Sequence, residues 1–403
     1  MELRKGYKRT EVGVIPEDWE VKVINDGFDI CNTLRFPISE DIRKSMQGDY
    51  PYYGPTKIQD YINEFRVEGE YALIGEDGDH FLKWSEISMT QITSGKFNVN
   101  NHAHLIKGKK NITLTSWFYY FFKNRDITNH LTRQGAGRYK LSKGTLQKIP
   151  CAFPPTISEQ TAIATAISDA DDLINSLEKL IAKKRNIKQG AIQKMLQPNE
   201  DWKVKRLGEV VWFQEGPGVR NSQFTSTGIK LLNGTNIEDG KLLLDKTDRY
   251  ISEKEAFGWY SHFLVDDGDI LIACSGVTID KFEEKVTIAD YTHLPLCMNT
   301  STMRFKIHSI ELSKNYFLHF LKSKSFKEQI GGKATGSAQL NFGPSHVKMV
   351  EIFLPKINEQ ENVATILSDM DSEITTLDIK LEKYRKVKLG MMQNLLTGKI
   401  RLV

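Results

Sequence analysis

The feature that most constrains this 403-residue chain is a segment that occurs twice, 200 positions apart. PTISEQTAIATAISDAD begins at Pro155, and PKINEQENVATILSDMD begins at Pro355. Extended to Leu196 and Leu396, the two copies are about 40% identical over about 40 residues without a gap, far above chance. We therefore interpret the chain as an internal duplication.

Each copy of the repeat predicts one long helix. Pro155 and Pro355 end the strand before it, and Ser158 and Asn358 are favourable N-cap residues. Apolar residues then recur at alternating spacings of three and four, which is typical of a coiled-coil seam. The predicted seam residues are Ile163, Ile167, Ala170, Ile174, Leu177 and Ile181 in the first copy, and Val363, Leu367, Met370, Ile374, Leu377 and Leu381 in the second.

The two helices are expected to pair with each other. A helix of about 40 residues spans roughly 60 Å, and intramolecular pairing covers its apolar stripe at a lower entropic cost than a homodimer, which stays possible. Lys184, where the second copy has Tyr384, is a polar break in this stripe. NEDWKVKRL, from Asn199, resembles PEDWEVKVI, from Pro16, so the chain repeats one order of segments. That order predicts antiparallel helices and a pseudo-twofold axis.

The fold class expected from these patterns is α/β (α+β), with two globular domains separated by two long helices that form an antiparallel intramolecular coiled coil. Both globular parts combine strand-like runs with a short aromatic helix, SWFYYFFKN or YFLHFLKSKSF, that we expect to be core. The predicted boundaries are residues 1–156 for the first domain, 157–197 for the central helix, 198–355 for the second domain, 356–397 for the C-terminal helix and 398–403 for a tail.

Two long stretches of the chain are poor in acidic residues. Residues 87–158 contain eleven Lys and Arg but only Asp126 as an acid, and residues 291–350 contain eight against Glu311 and Glu328. A charge run is usually a solvated face, but two such stretches at matching places favour a polyanionic partner, with nucleic acid as the first candidate.

Composition and motifs indicate the classes of protein to which this chain does not belong. No apolar run approaches the roughly 18 residues of a membrane span, the N-terminal MELRKGYKRTEVGV lacks the apolar core of a signal peptide, and the four cysteines form no CxxC pair. We expect a cytoplasmic protein with reduced thiols and no membrane partner.

No enzymatic site is evident in the sequence. TSGKF lacks the first glycine and the hydroxyl of a phosphate-binding loop, and no Asn/Asp-Pro-Pro-Tyr/Phe run is present to hold a flipped adenine. His102 and His104 lack a third ligand for a metal, and the acidic GEDGD and DDGD segments are interpreted as turns. We expect no catalytic residue, no metal and no cofactor on this chain, which is predicted not to be an enzyme by itself.

The EQxxIAxxLSDxD-type helix, written twice, together with a Glu-Asp-Trp segment ahead of each globular part, resembles the specificity subunit of Type I restriction-modification systems. VGVIPEDW, YPYYGPTKIQDYI and ATGSAQLNF also resemble that family. The resemblance implies two target recognition domains, each reading one half of a bipartite site in double-stranded DNA, and a helix pair that sets the spacer. It also implies two modification subunits, which bind S-adenosylmethionine and methylate adenine, and a restriction subunit that joins them.

The candidate DNA contacts lie mainly in loops that carry Arg, Asn, Gln or Ser beside glycines, although plain surface loops remain an alternative. Arg and Asn/Gln can contact guanine and adenine through two hydrogen bonds each, whereas Lys143 and Lys333 are expected to contact phosphate. In the first domain the candidates are Asn98, Asn100, His102, Arg133, Gln134, Arg138, Tyr139 and Lys143. In the second domain they are Arg220, Asn221, Asn233, Asn236, Lys281, Lys333, Ser337, Gln339 and Asn341.

Two other functions compete with DNA recognition. A fused enzyme is disfavoured because two globular parts and two helices already occupy all 403 residues. A coiled-coil interaction scaffold without sequence-specific DNA binding is disfavoured by the duplicated basic stretches.

Overall fold

A computed structural model describes residues 4–133, 138–331 and 339–402, apart from the side chains of residues 246 and 279–281. The chain divides into a first unit, Met1–Glu178 with Ile379–Val403, and a second unit, Lys179–Asp378. The five-part division predicted from the sequence stays a prediction, because each of the two compact units contains a globular part together with parts of both long helices.

The first unit is mixed α/β, with two four-stranded sheets and several two-stranded ribbons. Its strands are β1 (Tyr7–Thr10), β2 (Gly13–Pro16), β3 (Glu20–Val23), β4 (Phe28–Ile30), β5 (Gln47–Tyr53), β6 (Ile58–Ile62), β7 (Val67–Glu68), β8 (Tyr71–Gly75), β9 (Thr90–Thr93), β10 (Lys96–Val99), β11 (Ala103–Gly108), β12 (Thr132–Arg133), β13 (Tyr139–Lys140) and β14 (Pro150–Phe153). Its helices are α1 (Ile24–Gly27), α2 (Glu40–Ser45), α3 (Thr115–Phe122), α4 (Lys143–Gln147) and the first part of α5 (Ile157–Met195). The sheets have the orders β4-β11-β8-β9 and β6-β5-β10-β7.

The second unit repeats this plan. Its strands are β15 (Lys203–Arg206), β16 (Val211–Glu215), β17 (Phe224–Thr225), β18 (Ile229–Leu232), β19 (Ile237–Glu238), β20 (Lys241–Leu242), β21 (Tyr250–Ile251), β22 (Ile270–Ala273), β23 (Val277–Thr278), β24 (Val286–Ile288), β25 (Leu296–Met298), β26 (Thr302–Ile307), β27 (Gln339–Leu340) and β28 (Glu351–Leu354). Its helices are α6 (Leu207–Val210), α7 (Glu253–Phe257), α8 (Lys314–Leu321), α9 (Lys324–Gly331), α10 (Pro344–Lys348) and the first part of α11 (Ile357–Leu395). The sheet orders are β16-β26-β22-β24 and β17-β21-β18-β25.

The aromatic helices α3 and α8 form the cores predicted for them. Trp117 and Phe118 of α3 are fully buried in the core of the first unit, and Phe317 of α8 is fully buried in that of the second. The strand after each Glu-Asp-Trp segment pairs antiparallel with the strand before a long helix, β3 with β14 and β15 with β28. The repeated segments therefore form the joint between each globular part and its helix.

The long helices begin and end where the repeat predicts, and within each unit they run antiparallel. In the second unit Lys184 pairs with Glu373 at 2.7 Å and Lys188 pairs with Asp371, so a higher number on α5 meets a lower one on α11. In the first unit Glu178 accepts from Arg385 at 2.6 Å and Asp171 from Lys388. Lys184, the polar break in the stripe, is thus neutralised by a glutamate of the other helix.

The predicted seam is largely buried. Of its twelve residues, all but Ala170, Met370 and Leu377 are at most 9% exposed, and these three are half-buried. The antiparallel coiled coil and the mixed α/β class are therefore confirmed. Among the described helices, none is both long enough and apolar enough to cross a membrane.

Candidate nucleic-acid interface

Three loops of the first unit meet at one end of its sheets. The backbone N–H of Glu76, just after β8, donates to the carbonyl of His102 at 2.8 Å. The N–H of Leu141 donates to the carbonyl of Glu76 at 2.7 Å, and the N–H of Gly78 donates to that of Tyr139 at 3.0 Å. We call this meeting point the loop edge; in the first unit it comprises residues 76–78, 100–102 and 139–142.

The second unit builds the same loop edge from residues 274–276, 299–301 and 339–342. The N–H of Cys274 donates to the carbonyl of Ser301 at 2.9 Å, and the N–H of Phe342 donates to the carbonyl of Cys274 at 3.0 Å. The backbone pattern is thus shared, whereas the side chains differ: Glu76, His102 and Lys140 stand where the second unit has Cys274, Ser301 and Asn341.

In the first unit the loop edge presents His102 and Tyr139. The His102 side chain is 49% exposed, and its Nδ1–H donates to Asp77 Oδ2 at 2.8 Å. The guanidinium of Arg133 lies 5.2 Å from the centre of the Tyr139 ring. Arg138 is exposed next to this pair. Four of the predicted DNA contacts are therefore close together on this surface.

A charged network beneath this surface holds the Leu141 segment. Glu76 accepts from Arg35 at 2.6 Å and lies 3.8 Å from the amino group of Lys140. The fully buried ring of His104 accepts from the amide of Asn32 at Nδ1 and donates from Nε2 to the carbonyl of Leu141 at 2.7 Å. Burial lowers the pKa of His104, which keeps the ring neutral in this role. In the described part of the chain, no cluster of His, Cys, Asp and Glu could hold a metal ion.

Two predicted contacts of the first unit lie below the surface. Asn98 is fully buried and donates to the carbonyl of Glu64 at 2.7 Å. Asn100, 5% exposed, donates to Gln59 Oε1 at 2.9 Å and accepts from the N–H of His102 at 2.8 Å. Neither amide is presented to a ligand in this structure, and Asn100 instead positions His102. Lys143 is exposed at the start of α4.

The predicted asparagines of the second unit also differ in their exposure to solvent. Asn236 is 3% exposed, and its Oδ1 accepts from the N–H of Asn233 at 2.9 Å. Asn233 in turn accepts from Asn299 Nδ2 at 2.9 Å, so both close a turn beside the loop edge. Asn341 is exposed, and its Oδ1 accepts from the N–H of Gly276 at 2.8 Å and from Ser275 Oγ at 3.0 Å.

The remaining predicted contacts are exposed or undescribed. Gln339 is exposed in β27, and Arg220 and Asn221 are exposed at a turn after β16. The positions that fall outside the described residues are Gln134, Lys333, Ser337 and the side chain of Lys281. All of these stay predictions.

Sequence reasoning missed the residues that orient the exposed side chains. Asp77, which fixes His102, belongs to GEDGD and was interpreted only as part of a turn, and Ser275, which fixes Asn341, was assigned no role. A polar residue two positions after a buried strand in each half is the pattern that could have indicated both.

Comparison with known proteins bears on both units. A family model described as "Type I restriction modification DNA specificity domain" matches residues 16–189 and again residues 199–383. The chain is similar to the Type I restriction enzyme MjaVIII specificity subunit of Methanocaldococcus jannaschii, at 26% identity over 96% of this chain and 94% of that protein. It is also similar to a putative type I restriction enzyme specificity subunit of Haemophilus influenzae, S.HindORF215P, at 29% identity over 88% of each.

Solved structures agree in fold. The S subunit of a Type I restriction-modification system from M. genitalium matches with a TM-score of 0.61 at 14% identity, over 98% of both chains. A chain from a structural study of complex assembly and conformational transition in a type I system matches with a TM-score of 0.53 at 12% identity. At these identities the likeness concerns the fold alone.

Proposed function

Since the chain belongs to the family of Type I restriction-modification DNA specificity proteins, we propose that each unit reads one half of a bipartite DNA target through its loop edge. DNA sequence recognition is the function of the chain, which is a non-catalytic subunit of its system. The relatives give no support to the alternative of a scaffold without DNA binding.

One observation carries the proposal that the loop edges do the reading. Two backbone hydrogen bonds that hold the three loops together are the same in both units, yet the equivalent positions carry different polar side chains. A constant backbone with variable hydrogen-bonding groups is what two domains need in order to read different base sequences. Contacts to phosphate from exposed lysines such as Lys143 would fix the position on the duplex without specifying a base.

We propose further that the helices dock two modification subunits. Ile187 on α5 and Val387 on α11 stand at equivalent positions of the repeat, and they are 47% and 46% exposed. An exposed apolar residue repeated in this way would offer the same contact to each of two identical partners.

The other components of the system follow from the same proposal. S-adenosylmethionine would be bound by the modification subunits and not by this chain, and a restriction subunit would join the complex. The helix pair would set the spacer between the half-sites. We place the complex in the cytoplasm.

The test is a methylation map. The chain would be purified with its modification subunits, incubated with S-adenosylmethionine and random-sequence DNA, and the methylated adenines located by sequencing. We expect two short specific half-sites separated by a spacer of fixed length. A single continuous motif, or methylation without sequence preference, would contradict the proposal. Omitting the chain should abolish the preference.

A further inference from the structure

One side chain of the second loop edge has part of its hydrogen-bonding capacity already used. Asn341 is exposed, but its Oδ1 accepts from the backbone N–H of Gly276 at 2.8 Å and from Ser275 Oγ at 3.0 Å. A backbone N–H can only donate, so the contact with Gly276 requires the amide oxygen, and not the nitrogen, on that side. The amide therefore has one orientation.

The backbone on both sides of Asn341 is fixed as well. Leu340 is buried and pairs with Val277, and Phe342 is buried and bonded to the carbonyl of Cys274. Gly276 has φ +69°, a left-handed conformation that glycine adopts without strain and that turns its N–H toward Asn341. Among the described residues, no partner faces the Nδ2 amino group of Asn341, which points away from Gly276.

We propose that Asn341 is a specificity-determining residue that reads one base of the second half-site only as a hydrogen-bond donor. In the major groove its N–H groups would meet the acceptors of a keto base, O6 and N7 of guanine or O4 of thymine. The usual contact of asparagine with adenine needs the amide oxygen to accept from N6, and Gly276 and Ser275 already occupy that oxygen. This inference rests on the proposed function.

A single substitution converts the outward group of residue 341 from a hydrogen-bond donor into an acceptor. Asn341→Asp keeps an oxygen toward Gly276 and Ser275 and replaces the outward N–H groups with a second oxygen, which is an acceptor. One position of the half-site should then change its preference from guanine or thymine to the amino bases cytosine or adenine. The added negative charge weakens binding to every sequence, so the readout is the ratio among the four bases at each position.

Two further variants keep the experiment interpretable. Ser275→Ala removes one of the two contacts to Oδ1 and should reduce the base preference severalfold without reversing it. Asn315→Asp makes the same chemical change at an exposed position of α8 and should leave the motif unchanged. Both variants retain Asn341 and its contact with Gly276.

The measurement is a selection from duplexes randomised across the half-sites, using the full chain with its modification subunits. The wild type should select guanine or thymine about tenfold or more at the position that responds to Asn341→Asp. Weaker binding of Asn341→Asp with unchanged ratios among the four bases at every position, or adenine at the responding position in the wild type, would overturn the inference. If the wild type selects no motif, the proposed function itself fails. This outcome differs from those that overturn only the inference about Asn341.

Discussion

At the residue scale, the repeated glutamine of the EQ motif makes an equivalent contact in both units. Gln160 is 1% exposed; its Oε1 accepts from Thr113 Oγ1 at 2.9 Å and from the N–H of Leu114 at 3.1 Å. Gln360, fully buried, accepts from the N–H of Ser313 at 2.9 Å. In each unit this side chain binds the start of the aromatic helix to the long helix.

Replacing Gln160 should therefore destabilise the first unit. In Gln160→Ala the buried hydroxyl of Thr113 and the part-buried N–H of Leu114 lose their partner, which costs about 2–4 kcal/mol in the free energy of unfolding. Thr161→Ala, at the exposed neighbouring position, should cost less than about 1 kcal/mol. Denaturant unfolding of both variants checks this, and equal losses would contradict the role given to Gln160.

His319 should make the second unit sensitive to acid. The ring is 1% exposed, and burial, with Lys322 nearby, lowers its pKa to about 4. Because the unfolded chain has a histidine pKa of about 6.5, it takes up a proton between pH 6.5 and 4 that the folded unit excludes, so stability falls as the pH drops through this window.

The loss attributable to His319 should reach about 2 kcal/mol at pH 5. The first unit has Tyr120 at the equivalent position, and burial raises the pKa of Tyr120 to about 12, outside this range. His319→Tyr should therefore remove the acid sensitivity, measured by thermal unfolding at pH 7 and pH 5. A variant that loses stability between these values as the wild type does would show that other groups are responsible.

These residues also show why the sequence predicts so little of the loop edges. The residue types in the loops were evident, but whether an asparagine is buried like Asn98 or exposed like Asn341 depends on neighbours distant in the chain. Ser275 and Asn341 are 66 positions apart, and Asp77 and His102 are 25 apart. No local sequence pattern indicates that two such residues are in contact.

At the element scale, the helices were predictable because their information is local. The heptad spacing alone gave the seam, and the charges confirm the direction: Asp171 pairs with Lys388 in the first unit and Asp371 with Lys188 in the second. These residues recur at the same offset of 200. Strand order within a sheet depends on contacts between residues that are distant in the chain. The sequence therefore predicted a mixed α/β class for each unit but not the order of strands in its two sheets.

The exposed apolar pair on the helices provides the test of docking. Ile187→Glu should leave one modification subunit bound per chain, and the double variant with Val387→Glu should leave none, because a charge would be buried at each contact. Ile379→Glu is the control, since Ile379 is 67% exposed but has Lys179 as its equivalent. Native mass spectrometry of the purified complexes counts the subunits. Two subunits bound to the double variant would place the docking surface elsewhere.

At the scale of the whole molecule, one set of ion pairs in the first unit departs from the duplication. Arg401, in the C-terminal tail, donates to both oxygens of Asp18 at 2.9 and 3.0 Å and pairs with Glu159, whose side chain is fully buried. Its equivalent by offset is Asp201, and Glu359, the repeat of Glu159, is exposed.

Removing this contact should destabilise the first unit selectively. Arg401→Ala leaves the Glu159 carboxylate buried without a counter-charge, at a cost of about 3–5 kcal/mol in the free energy of unfolding. Adding Glu159→Gln, which removes the buried charge, should restore part of that loss, whereas Glu359→Gln should have almost no effect in either background because Glu359 is exposed. Denaturant unfolding of these variants, together with Glu159→Gln alone, completes the double-mutant cycle. If Glu159→Gln gave no recovery, Arg401 would stabilise the first unit through packing and not through charge.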